Sequence, residues 1–166
     1  MPTNCGRFDP QKPLSTYGRG RTARLAGHDY AADWSVHLTV CALNGEPFRD
    51  AEVAQMVSSC VVEAAKLRKF HLYGYCLMPD HLHVLVSPAD SRRPIADYLH
   101  ALKGYTTRQY RLLRGRSRLW QTTAYDRVLR PNEDTMTVAA YVANNPVRAG
   151  LVKTWVEWPY SKIFVE

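Results

Sequence analysis

Two histidines separated by one residue, His81 and His83, lie in the run Tyr75–Val86, and far downstream Tyr141 precedes Asn145 by four positions. Side chains alternate along a strand, so a strand through this run turns both imidazoles to one side and Leu82, Val84 and Val86 to the other. Such a pair can chelate a divalent cation. A helix through Tyr141-Val142-Ala143-Asn144-Asn145 brings the Tyr141 phenol and the Asn145 amide onto one face. A phosphodiester resists attack because its oxygens are negatively charged, and a cation on the phosphate beside a positioned nucleophile overcomes that. A phenol, with a reference pKa of about 10, leaves more readily than an alkoxide, so a tyrosine–phosphate bond conserves the energy of a cleaved strand. Two imidazoles and an amide oxygen leave coordination positions open for Mg²⁺ or Mn²⁺, although histidine also accepts zinc.

These side chains need elements to carry them. Val36, Leu38 and Val40 alternate with His37, Thr39 and Cys41, which predicts a strand over Trp34–Leu43 that ends at Asn44-Gly45. From Asp50, a capping residue, Val53, Met56, Val57, Cys60, Val61 and Ala64 follow helical spacing. Phe70–Met78 reads as a second strand, and Pro79-Asp80 supplies the turn into the histidine strand. Pro94 opens a long helix that ends near Gly115, with a stripe of Ile95, Tyr98, Leu99, Leu102, Thr106, Gln109 and Leu113. Lys103, Thr107, Tyr110, Arg111 and Arg114 form a second, polar stripe. Leu119–Leu129 reads as a fourth strand, and Asp134–Asn145 as a helix stopped by Pro146.

The order strand, helix, strand, strand, helix, strand, helix predicts an α+β fold. It is a ferredoxin-like antiparallel sheet, the split βαβ, with a C-terminal helix carrying Tyr141. The tail from Val147 to Glu166, with Trp155, Trp158 and Tyr160, is expected to pack back on the sheet. Residues 1–27, rich in Gly, Pro and Arg, read as a flexible basic arm ahead of one domain over 28–166.

With 166 residues and 46% apolar content the chain suits a single core. Its 22 basic against 15 acidic residues give a net charge of +7, which favours a phosphate backbone as partner. Lys103, Arg108, Arg111, Arg114, Arg127 and Arg130 are the candidate phosphate contacts, with Tyr105 or Tyr110 available for base stacking. The competing reading is a solvated helix face. Cys5, Cys41, Cys60 and Cys76 lack the paired spacing of a zinc knuckle and read as reduced core residues. No apolar run has signal-peptide or membrane-spanning length, so the expectation is a soluble cytoplasmic protein.

The segments Met78-Pro79-Asp80-His81-Leu82-His83, Leu119-Trp120-Gln121 with Tyr125-Asp126-Arg127, and Tyr141 to Val152 resemble the single-tyrosine HUH transposases, especially the REP-associated tyrosine transposases. That resemblance implies Tyr141 as nucleophile and His81, His83 and Asn145 as metal ligands, with Asn144 the substitute for Asn145. It also implies cleavage of single-stranded DNA beside imperfect hairpins, leaving a 5′-phosphotyrosine and a free 3′-hydroxyl. Rejoining then needs no nucleotide cofactor. The working unit is a monomer or a homodimer. The match is weaker over Leu25–Tyr30. Three rivals remain: a hairpin-binding protein that does not cut, a hydrolase using metal-activated water, and a structural domain with a satisfied histidine pair.

Overall fold

The computed structural model describes residues 34–88, 91–115 and 118–164. The expected basic arm over 1–27 lies outside them. The elements are β1 (Val36–Cys41), α1 (Ala51–Arg68), β2 (His71–Leu77), β3 (His81–Ser87), α2 (Ile95–Arg114), β4 (Tyr125–Val128), α3 (Thr135–Ala143), α4 (Asn145–Arg148) and β5 (Ser161–Ile163). The strands form one sheet in the order β4-β1-β3-β2-β5, with every neighbouring pair antiparallel. β1 and β2, joined through α1, flank β3, so the first four strands have the split βαβ arrangement.

Helix α1 starts where the Asp50 carboxylate accepts from the Glu52 and Val53 amides, and it stops at Lys69 in the left-handed region. Its buried valines and those of β1 and β3 share one core with Tyr98, Leu99 and Leu102 of α2. The helical layer therefore covers the face of Leu38, Val40, Leu82 and Val84. The opposite face carries Thr39, His81 and His83, and α3 packs there, chiefly on β2 and also on β3 and β5.

The structure departs from the sequence-based expectations in several places. The stripe that α2 buries runs Tyr98, Leu102, Thr106, Tyr110, so Tyr110 is a core residue, while Gln109 is exposed. Tyr110 is thus closed to base stacking; Tyr105 is exposed. The fourth strand is only Tyr125–Val128. Ahead of it, Leu119, Trp120 and Ala124 leave the strand path and enter the core, with a single bridge from Trp120 to Ala42. The tail does return to the sheet and adds a fifth strand beside β2. Finally, Cys60 and Cys76 are free thiols, but Cys41 is disulfide-bonded rather than reduced.

Candidate active site

The register between β1 and β3 sets Cys41 opposite His81, Thr39 opposite His83 and His37 opposite Leu85. Directly opposed residues of an antiparallel pair share a face, so β1 presents His37 and Thr39 to the β3 histidines. The Nε2 atoms of His81 and His83 stand 3.0 Å apart, with their rings nearly perpendicular at 88°. Each Nδ1 has its partner elsewhere. His81 Nδ1–H donates to Asp80 Oδ1 over 2.6 Å, and that bond is the main reason the Asp80 carboxyl is held below its ordinary range. His83 Nδ1 lies 3.1 Å from Thr39 Oγ1 and 3.2 Å from His37 Nε2.

Two neutral imidazoles whose Nε2 atoms face each other leave lone pair against lone pair unless a proton or a cation lies between them. The 3.0 Å separation is that of an N–H···N hydrogen bond, and the same two nitrogens aimed at one point are of the type that can hold a divalent cation. Among the described residues no cluster of three or more His, Cys, Asp or Glu side chains forms a metal site.

Tyr141 and Asn145 do not share one continuous helix. Helix α3, capped by Asp134 accepting from the Thr137 amide, ends at Ala143, and Asn145 opens the separate short helix α4 with Pro146 in its first turn. Proline lacks the amide hydrogen needed inside a helix but suits the start of one. Arg148 links the two residues across the break. Its guanidinium carbon lies 3.8 Å from the Tyr141 ring centroid, and Nη2 donates to Asn145 Oδ1 over 3.0 Å. The Asn145 Nδ2–H donates to the Val142 carbonyl, and the Asn144 Nδ2–H to the Ala140 carbonyl. Tyr141 is 44% exposed.

The tyrosine segment adjoins the histidine row through β2. Cys76 stands opposite His83, and Val142 packs on Cys76 and Met78 beside Trp158. Burial pushes the Cys76 thiol up to about 11, opposed by a hydrogen bond with Ser161 and then by the Arg148 charge. Gly74 leaves room for β5 beside β2: a Cβ there would meet the Lys162 carbonyl at 3.0 Å, while the Ala139 Cβ of α3 would lie at an ordinary 3.6 Å.

The six basic candidates scatter. Lys103 donates to the carbonyls of Gln121, Thr122 and Thr123, and burial lowers its pKa, so it ties the approach to β4. Arg114 binds Asp50 and Glu52, closing the end of α2 on the start of α1. Arg108 and Arg111 are exposed on α2, in the layer behind the histidines. Glu133 accepts from Arg127 Nη2 and from the Arg130 amide. Arg127, opposite His37, is the one of the six that strand register places on the histidine face. His37, Thr39, Asp80 and Arg148 were not among the site residues read from sequence. The polar alternation of β1 carried a signal for the first two, but strand pairing was needed to bring them to His83.

This fold is shared with solved transposases. The chain belongs to the IS200-like transposase family, whose model, described as "Transposase IS200 like", matches residues 31–145. It is distantly homologous to REP-associated tyrosine transposases. A Haemophilus influenzae protein assigned to that group is 28% identical over 102 residues, 55% of this chain and 58% of the relative. The Escherichia coli K12 REP-associated tyrosine transposase is 22% identical over 107 residues, 64% and 62% of the two chains. The chain thus spans about three fifths of the length of these relatives. A REP-associated tyrosine transposase solved bound to a REP hairpin superposes with a TM-score of 0.63 at 21% identity, covering 78% of this chain and 76% of that one. A Deinococcus radiodurans protein assigned as a transposase gives 0.51 at 23% identity, covering 73% and 97%. At these identities the likeness is one of fold. No helix among the described residues is long and apolar enough to cross a membrane.

Proposed function

We propose that this protein is a metal-dependent single-tyrosine DNA transposase that cleaves and rejoins single-stranded DNA near REP-type hairpins. The observation that carries the reading is the 3.0 Å approach of the two histidine Nε2 atoms while both Nδ1 atoms are engaged elsewhere. His81 and His83 hold Mg²⁺ or Mn²⁺, and Asn145 supplies the third protein donor once its Oδ1 turns from Arg148. The ion, when bound, neutralises a phosphate oxygen and makes phosphorus more electrophilic.

Tyr141 is the nucleophile. Its Oη forms a bond to phosphorus, the bond from phosphorus to the 3′ oxygen breaks, the phenolic proton is lost to solvent, which reaches this half-exposed side chain, and the leaving 3′ oxygen takes a proton from solvent. The products are a 5′-phosphotyrosine and a 3′-hydroxyl. Attack by another 3′-hydroxyl reverses the step, restores the phenol and needs no nucleotide cofactor. Arg148, already against the ring, places positive charge beside the reacting group. Arg127 on the histidine face and exposed Arg108 and Arg111 supply phosphate contacts, Arg130 adjoins the first of these, and Lys103 and Arg114 act indirectly by holding the elements that carry them. The relative solved with a REP hairpin supports hairpin DNA as partner.

The test is incubation with Mn²⁺ and labelled single-stranded DNA bearing the hairpins that flank the gene, followed by a denaturing protein gel. A shifted labelled band is expected, absent from Tyr141→Phe. Tight hairpin binding without adduct supports a non-cutting binder, and cut DNA without adduct supports hydrolysis by metal-activated water.

A further inference from the structure

We propose that His37 and Thr39 of β1 are positioning residues for His83, holding its Nδ1 as the proton-bearing nitrogen so that the Nε2 lone pair is the one presented to a cation. The inference rests on the metal reading above and deepens it. A neutral imidazole has one donor and one acceptor nitrogen. If His83 Nδ1 accepted, Nε2 would carry the hydrogen and aim it at His81 Nε2, 3.0 Å away. Cation binding therefore requires an Nδ1–H, and an Nδ1–H at a half-buried position requires an acceptor.

The fold provides two acceptors. Thr39 Oγ1, directly across the strand pair, is 3.1 Å from His83 Nδ1. His37 Nε2 reaches it diagonally at 3.2 Å, with ring centroids 5.1 Å apart and planes tilted by 41°. Asp80 serves His81 Nδ1 in the same way. The two rings are thus fixed from opposite ends of the row, one by a carboxylate in the turn and the other by a neighbouring strand. Loss of such outer partners commonly weakens metal affinity about 10–100-fold.

The experiment is calorimetric titration of the DNA-free full chain with MnCl₂, with circular dichroism melts in EDTA as the folding control. Thr39→Val is close to isosteric and His37→Phe keeps an aromatic ring, and each removes one acceptor. Each is expected to weaken Mn²⁺ binding a few-fold, and the double variant about 10–100-fold. His37→Gln, which restores an acceptor oxygen, should bind more tightly than His37→Phe. A purely structural contact would shift the melt and leave Mn²⁺ affinity alone.

His81→Ala separates this proposal from the reading beneath it. If His81→Ala loses Mn²⁺ but the folded double variant binds like wild type, the positioning role is overturned and the metal site stands. Should the double variant not fold, undiminished affinity in both single variants overturns the positioning role equally. If His81→Ala binds Mn²⁺ as well as wild type, the metal site itself is wrong and the positioning role falls with it.

Discussion

Arg148 holds Tyr141 and Asn145 at once, its guanidinium stacked 3.8 Å from the phenol centroid while Nη2 donates to the Asn145 amide oxygen. A cation that needed that oxygen would meet the guanidinium charge. Arg148→Gln should therefore bind Mn²⁺ about two- to five-fold more tightly in the absence of DNA, the scale of an exposed charge contact. The gain should vanish in an Asn145→Ala background. Calorimetry decides this, and equal or weaker binding by Arg148→Gln would remove Asn145 as a ligand in competition with Arg148.

Trp120 Nε1–H donates to the buried Thr106 Oγ1 over 2.6 Å, and Thr106 in turn donates to the Leu102 carbonyl. Thr106→Val keeps the shape and leaves the indole hydrogen without an acceptor. A loss of about 1–3 kcal/mol is expected in urea unfolding. Unchanged stability would mean that the indole finds another acceptor.

Gly74→Ala places a methyl group 3.0 Å from the Lys162 carbonyl. Relief requires β5 to shift by a few tenths of an ångström, at a cost of about 1–3 kcal/mol, and α3 packs on β5. The adduct yield should fall with stability, because α3 carries Tyr141. A melt together with the adduct gel tests the coupling; a lower melting temperature with full adduct yield would show that only β5 gives way.

The Glu133 carboxyl is held below its ordinary value first by the hydrogen bond from the Arg130 amide and then by Arg127. A depressed folded-state pKa contributes stability above the unfolded value of 4.5, lost as pH falls through the folded one. Glu133→Gln should thus cost about 1 kcal/mol at pH 7 and little in strong acid. Urea unfolding at the two pH values checks the sign, which a constant difference would contradict.

Much of this architecture could be read from residue order. The Asp50 cap, the alternation in β1 and the turn before His81 are local signals, and each lies where local chemistry places it. What escaped depends on tertiary context. β5 is only three residues long and follows Pro159, too brief for a period to show. The segment before β4 is apolar because Leu119 and Trp120 plug the core, not because they alternate in a strand. Tyr110 reads as polar beside arginines, yet its ring lies on the buried side of α2. The His81/His83 pair was visible from spacing, whereas His37 joined it only through register. Pro146 reads as a stop after Asn145, but α3 already ends at Ala143 and Pro146 lies in the first turn of α4 with Asn145, which decided how the amide is held.

β3 is hydrogen-bonded along both edges, to β1 and to β2, whereas Asn145 sits on a helix of four residues. The histidines would hold a cation from a fixed strand, whereas Asn145 would add its amide oxygen only by giving up Arg148, so the protein's grip on an ion would be rigid on one side and adjustable on the other.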